Sequence, residues 1–166
     1  MLVRRYRLFR YPCIASSASL ALLALGVPAA YAQQVALSNG RGLDFGRFVA
    51  GTGGTITLSP GGLRSRTGGV VLLNSPDAGQ AAFNLGKSGN GGSSKAVIIS
   101  LPANGATRLT SGANSMAVGN FVNTPSTLLS IPNGGTTLLV GATLTVAPNQ
   151  APGTYAGTFP LIVNFQ

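Results

Sequence analysis

The chain has 166 residues, with 11 Lys and Arg against 2 Asp and Glu, one Cys and no His, for a formal charge of +9. With no His or Glu, and only Asp44 and Asp77 as acids, a Ser-His-Asp triad, a Glu pair for glycoside hydrolysis and a His-ligated zinc site are excluded. Charged residues make up only 8% and hydrophobic ones 45%, which is not the composition of a disordered chain.

Residues 1–32 carry the three parts of a secretory signal. Arg4, Arg5, Arg7 and Arg10 form a basic start, an apolar stretch runs from Ala15 to Val27, and Ala30-Tyr31-Ala32 forms an Ala-x-Ala end before Gln33. A membrane span needs about 20 apolar residues; this run is shorter and is broken by serines. Arg4-Arg5 hints at twin-arginine export, but Arg7 stands where that signal prefers an apolar aromatic, so general secretion is the better reading. Cleavage after Ala32 leaves 134 of the 166 residues, with 7 basic and 2 acidic side chains. Cys13 leaves with the signal, so packing and backbone pairing must hold the domain without a disulfide. No transmembrane segment is expected after removal of the signal.

The expected organisation is a signal over 1–32, an N-terminal extension over 33–41 and a β-sandwich over 42–166. Of the 24 glycines, 23 follow the cut and stand as punctuation between apolar runs. The runs predict strands at Leu43–Ala50, Thr55–Ser59, Gly69–Leu73, Ala81–Leu85, Lys95–Leu101, Arg108–Thr110, Met116–Val122, Thr127–Ile131, Thr136–Ala147 and Thr154–Phe165. No window sustains the i, i+3, i+4, i+7 spacing of a helix. Two segments alternate most clearly. Leu138, Val140, Ala142, Leu144 and Val146 share one face opposite Thr137, Thr143 and Thr145. Near the end, Tyr155, Phe159, Leu161, Val163 and Phe165 share another. Asn133-Gly134 suits a type I′ hairpin. Many short alternating strands between turns predict an all-β fold, an antiparallel immunoglobulin-like β-sandwich.

Chemical motifs fail one by one. Gly86-Lys87-Ser88 resembles the end of a phosphate-binding loop, but the required first glycine is Ala81. Gly51-Thr52-Gly53-Gly54 is a turn with no helix behind it to hold a phosphate. Asp44 and Asp77 alone make a poor calcium site, which wants six to eight oxygens. A Ser-Lys dyad is the one nucleophilic arrangement the composition leaves, and enzyme is the weaker reading. Arg41, Arg47, Arg64, Arg66, Lys87, Lys95 and Arg108 are spread along the chain rather than clustered with aromatics, so nucleic acid is not an expected partner. Phe45, Phe48, Phe83, Phe121, Tyr155, Phe159 and Phe165 sit at core-like positions. Neither a metal nor a cofactor is expected.

Two motifs carry a resemblance. Leu43-Asp44-Phe45-Gly46-Arg47-Phe48 resembles the first strand of fimbrial subunits, in particular the spore-coat-U-like secreted pilins of Gram-negative bacteria. Ala151-Pro152-Gly153-Thr154-Tyr155-Ala156-Gly157-Thr158, running into Phe159 to Gln166, is similar to their last strand. Phe165 at the penultimate position and Gly153 fourteenth from the end match the termini of chaperone-usher pilins. The mature chain also resembles a bacterial family of small secreted Gly/Thr-rich proteins of unassigned function. The pilin resemblance implies a sandwich lacking one strand, with a groove bordered by Gly153, Tyr155, Phe159, Leu161, Val163 and Phe165. A periplasmic chaperone fills the groove first. At an outer-membrane usher, the N-terminal extension of a neighbouring copy or another fibre subunit replaces it. In this chain that donor would present Val35 and Leu37. The destination implied is the periplasm, then the cell surface or the medium. The alternative is a self-complete secreted or surface sandwich that binds glycan or protein.

Overall fold

The centre of the molecule is the strand whose alternation is most regular. In the computed structural model, which describes residues 35–87 and 95–166, β10 runs Thr136–Val146 and buries Leu138, Val140, Ala142, Leu144 and Val146 to 2% exposure or less. The expected signal, Gln33, Gln34 and Ser88 lie outside the described residues.

Ahead of β10 the chain forms β1 (Val35–Arg41), β2 (Phe48–Val49), β3 (Gly54–Leu58), β4 (Arg64–Gly68), β5 (Val71–Leu72), β6 (Ala81–Lys87), β7 (Val97–Ser100), β8 (Thr107–Ser111) and β9 (Asn114–Thr124); β11 (Ile162–Phe165) follows it. Every ladder is antiparallel. No helix occurs among the described residues, so none there is long and apolar enough to cross a membrane. The fold is an all-β antiparallel sandwich.

One edge of β10 is divided between two partners. Its first half, Thr136–Val140, pairs with β6, and its second half, Ala142–Val146, pairs with β3. Along the other edge lies β9, with a register shift between Gly141 and Thr143. Gly141 is the junction of the two halves. A Cβ there would run into the Leu58 carbonyl oxygen and come within 2.7 Å of the Ser59 carbonyl carbon, so only glycine admits the close approach of the 58–60 backbone. The sheet continues to β1 beyond β6, to β4 beyond β3 and to β8 beyond β9.

Two small ladders form the opposing layer. Phe48 and Leu72 of the β2–β5 ladder, with Phe45, cover a cluster of Ile56, Leu58, Met116, Val118 and Leu144. Val163 and Phe165 of β11, with Val97 and Ile99 of β7, cover Leu85, Leu138 and Val140. On the solvent side of the large sheet, threonine hydroxyls pair across strands, Thr55 with Thr67 at 2.7 Å and Thr57 with Thr143 at 3.0 Å.

Several strand expectations need correction. Leu43–Ala50 is a strand only at Phe48–Val49, because the Asp44 carboxylate accepts from the Gly46 N–H (2.7 Å) and Gly46 adopts φ +71°, which turns the chain. Thr127–Ile131 contributes only a single bridge, Leu128 to Val97. A turn does form at Asn133-Gly134, closed by Gly135 N–H to Pro132 C=O (2.9 Å), but the positive φ falls on Gly135. It therefore ends a loop before β10 and is not a type I′ hairpin. Thr154–Phe165 is a strand only from Ile162, since Pro160 and the close pass of Gly157 against Arg108 hold the earlier part out of a ladder.

Candidate functional site

The expected donor segment is a strand of its own chain's sheet. Val35, Leu37 and Asn39 stand opposite Lys87, Leu85 and Phe83 of β6, and directly opposed residues share a face. Val35 and Leu37 therefore point to the side on which Leu85 is buried. Val35 packs against that cluster, whereas Leu37 remains 40% exposed because β1 is the outermost strand. A bulge follows between Asn39 and Arg41, and the Arg41 guanidinium donates to the Asp77 carbonyl (2.8 Å). Gly42, with open space around its Cα, links β1 to the body of the domain.

The motif that follows anchors the chain. Leu43 packs against both core clusters, Asp44 exchanges backbone hydrogen bonds with Gly79 (2.9 and 2.8 Å), and Phe45 is 5% exposed. Gly46 makes the turn into β2.

At the other end, Gly153 lies against Ser111, where an added Cβ would meet Oγ at 2.6 Å. The Tyr155 hydroxyl donates to the Ala151 carbonyl (2.7 Å) and accepts from Gln150 Nε2 (2.8 Å). A tyrosine hydroxyl bonded to the backbone four residues upstream has the hydrogen-bond pattern of a tyrosine corner, and it ties down the bend that follows β10. Replacing Tyr155 with Phe removes both bonds and strands the Ala151 carbonyl. Chemical denaturation should show a loss of about 1–3 kcal/mol.

Beyond the corner, Ala156 bridges to Thr110 along the outer margin of β8. Phe159 then inserts between two rings, edge-on to Phe83 at 6.0 Å and tilted against Phe121 at 5.1 Å. Leu161, Val163 and Phe165 continue on the same cluster, and β11 pairs with β7 in register Ile162↔Ser100 to Phe165↔Val97. The aromatic and aliphatic positions expected on one face thus reach the core together. β11 also passes near β1, and among the described residues no ladder joins the two.

Residues 35–165 match the model of a domain of unknown function, DUF4402. The chain belongs to the DUF4402 family. No curated protein and no solved structure matches it.

The DUF4402 match begins at the first residue of β1 and ends at the last of β11, so the family's domain takes in both strands. Within that domain the sequence reading missed one structural cation. Arg64 is one of the seven basic residues spread along the chain after Ala32. Its guanidinium in fact reaches across from β4 and donates to the carbonyls of Leu73 (3.0 Å) and Arg47 (2.6 Å), pinning the end of the β2–β5 ladder. Burial pushes its pKa below the ordinary arginine value, and the nearby Asp44 carboxylate opposes the shift. An arginine beside an apolar ladder gives no signal in sequence that separates a clamp from a solvated charge. Among the described residues no group of three or more His, Cys, Asp or Glu could hold a metal.

A neutral depression of about 490 Å³ lies between β1 and the 133–135 turn. Ala36, Ser38, Asn84, Gly86 and Thr137 are among its lining residues, which offer amide, hydroxyl and backbone groups and no charge.

Proposed function

We propose that this DUF4402 chain is an exported structural subunit of a pilus-like surface fibre, joined to its neighbours by β-strand addition through β1. The observation that carries this reading is the attachment of β1 by one ladder, with six of its seven residues exposed. Burial of Val35 and part of Leu37 contributes about 2–4 kcal/mol. Ordering the strand costs roughly 1–2 kcal/mol per residue. Main-chain hydrogen bonds to β6 therefore do most of the holding, and those bonds are identical whether β1 comes from the same chain or from another. Gly42 supplies the pivot. Neighbouring copies or other fibre subunits are the partners, with a periplasmic chaperone and an outer-membrane usher as assembly factors of an exported chain.

Deletion of residues 33–41 tests the proposal. The shortened chain should aggregate through the uncovered β6 margin, a peptide of residues 33–41 should restore it to solution, and the full mature chain should form multimers as concentration rises. A full chain that stays monomeric at every concentration, and unfolds reversibly in one cooperative step, would overturn it.

The cis pairing of β1 favours a second reading, a self-complete exported sandwich that binds glycan or protein. The uncharged depression beside β1 is the place such a ligand would be sought. A glycan array and cell-surface crosslinking, both silent, would remove this alternative.

A further inference from the structure

We infer that the outward face of the β2–β5 ladder is a docking surface for a lipid bilayer with anionic headgroups. The ladder is amphipathic. Phe48 and Leu72, opposite each other, turn inward onto the core. The alternate positions turn outward: Val49 opposite Val71, exposed by 52% and 50%, and Arg47 opposite Leu73, the last held by the Leu73 N–H to Arg47 C=O bond (3.0 Å). Arg64 on β4 grips both carbonyls at this end and fixes the ladder in place.

Three exposed aliphatic side chains gathered on one small ladder form a contiguous apolar patch, the kind of surface feature that marks an interaction site. Charge decides which partner. Arg47 extends β2, Arg64 grips the carbonyls of Arg47 and Leu73, and Arg66 follows on the same strand β4, against Asp44, one oxygen of which already accepts from its own turn. The end is net positive. An aliphatic patch with arginines at its margin matches a surface that is apolar inside and anionic at its rim: valine and leucine enter the acyl boundary while the guanidiniums of Arg47 and Arg66 meet phosphate. A neighbouring copy of this cationic chain would bring like charge against it, which disfavours self-association through this face.

The test uses the full mature chain and co-sedimentation with phosphatidylcholine vesicles, with and without phosphatidylglycerol. Binding is expected only to the anionic vesicles, weakening as salt shortens the reach of the charges. Each of Arg47→Gln and Arg66→Gln should lower the partition coefficient about fivefold, and Val49→Asp with Val71→Asp at least about tenfold. Far-UV circular dichroism checks that these exposed changes leave the fold intact, and Val49→Ser with Val71→Ser provides a milder pair if it does not. Equal binding to both vesicles, binding to neither, or undiminished binding by the valine pairs would overturn the inference. The inference stands or falls independently of strand addition, because β1 is not part of the patch.

Discussion

Gly141→Ala is expected to cost at least about 3 kcal/mol. The added Cβ would collide with the Leu58 carbonyl oxygen and sit 2.7–2.8 Å from Ser59 C and Pro60 N, all backbone atoms that have no rotamer to change. Relief would require β3 to move away from β10. That movement would break the hand-over by which one strand serves β6 and β3 in turn. Gly134→Ala is the control, since Gly134 has open space around it and should change stability by less than about 0.5 kcal/mol. Urea titration of both variants measures the difference. Similar midpoints would show that the 58–60 turn yields more readily than its packing implies.

Leu144→Ala follows by a different route. Leu144 is 1% exposed, faces Ile56 and Val118 across two ladders, and belongs to the cluster roofed by Phe45 and Phe48. Truncation removes transfer energy and leaves a cavity that surrounding strands cannot close, a loss of about 2–5 kcal/mol. Domains of this size have total stabilities of about 5–15 kcal/mol. The variant should therefore unfold at markedly lower denaturant, with an unchanged slope if the transition stays two-state. A loss under about 1 kcal/mol would mean that the two layers slide together to fill the space.

The elements legible in sequence were those whose side chains state their own environment. Leu138 to Val146 alternate because one face is buried and the other is not, and the strand runs where the alternation runs. The C-terminal segment shows the limit of that inference. Tyr155, Phe159, Leu161, Val163 and Phe165 do share a core-facing side, yet only the final four-residue stretch joins a ladder. Alternation reports which way side chains point, and says nothing of whether the backbone beside them has a partner. β4, Arg-Ser-Arg-Thr-Gly, was missed altogether because an edge strand held by main-chain bonds needs no apolar face. β1 reads in sequence as an extension donated to a neighbouring copy, because Val35 and Leu37 do not state whose sheet they join. The site was half visible: its residues were named, but that β1 lies on β6 of its own chain depends on contacts more than forty residues apart.

Tyr155 gives the domain a built-in optical reporter. It is the single tyrosine among the described residues, and the whole sequence contains no tryptophan. Ultraviolet emission from residues 35–165 therefore comes from one phenol, clamped between Gln150 and Ala151 at the bend leading into the final segment. Its intensity tracks the integrity of that bend and the packing of the ring on the core. Comparison with a backbone signal such as circular dichroism would show whether the last segment detaches before the rest of the sheet melts.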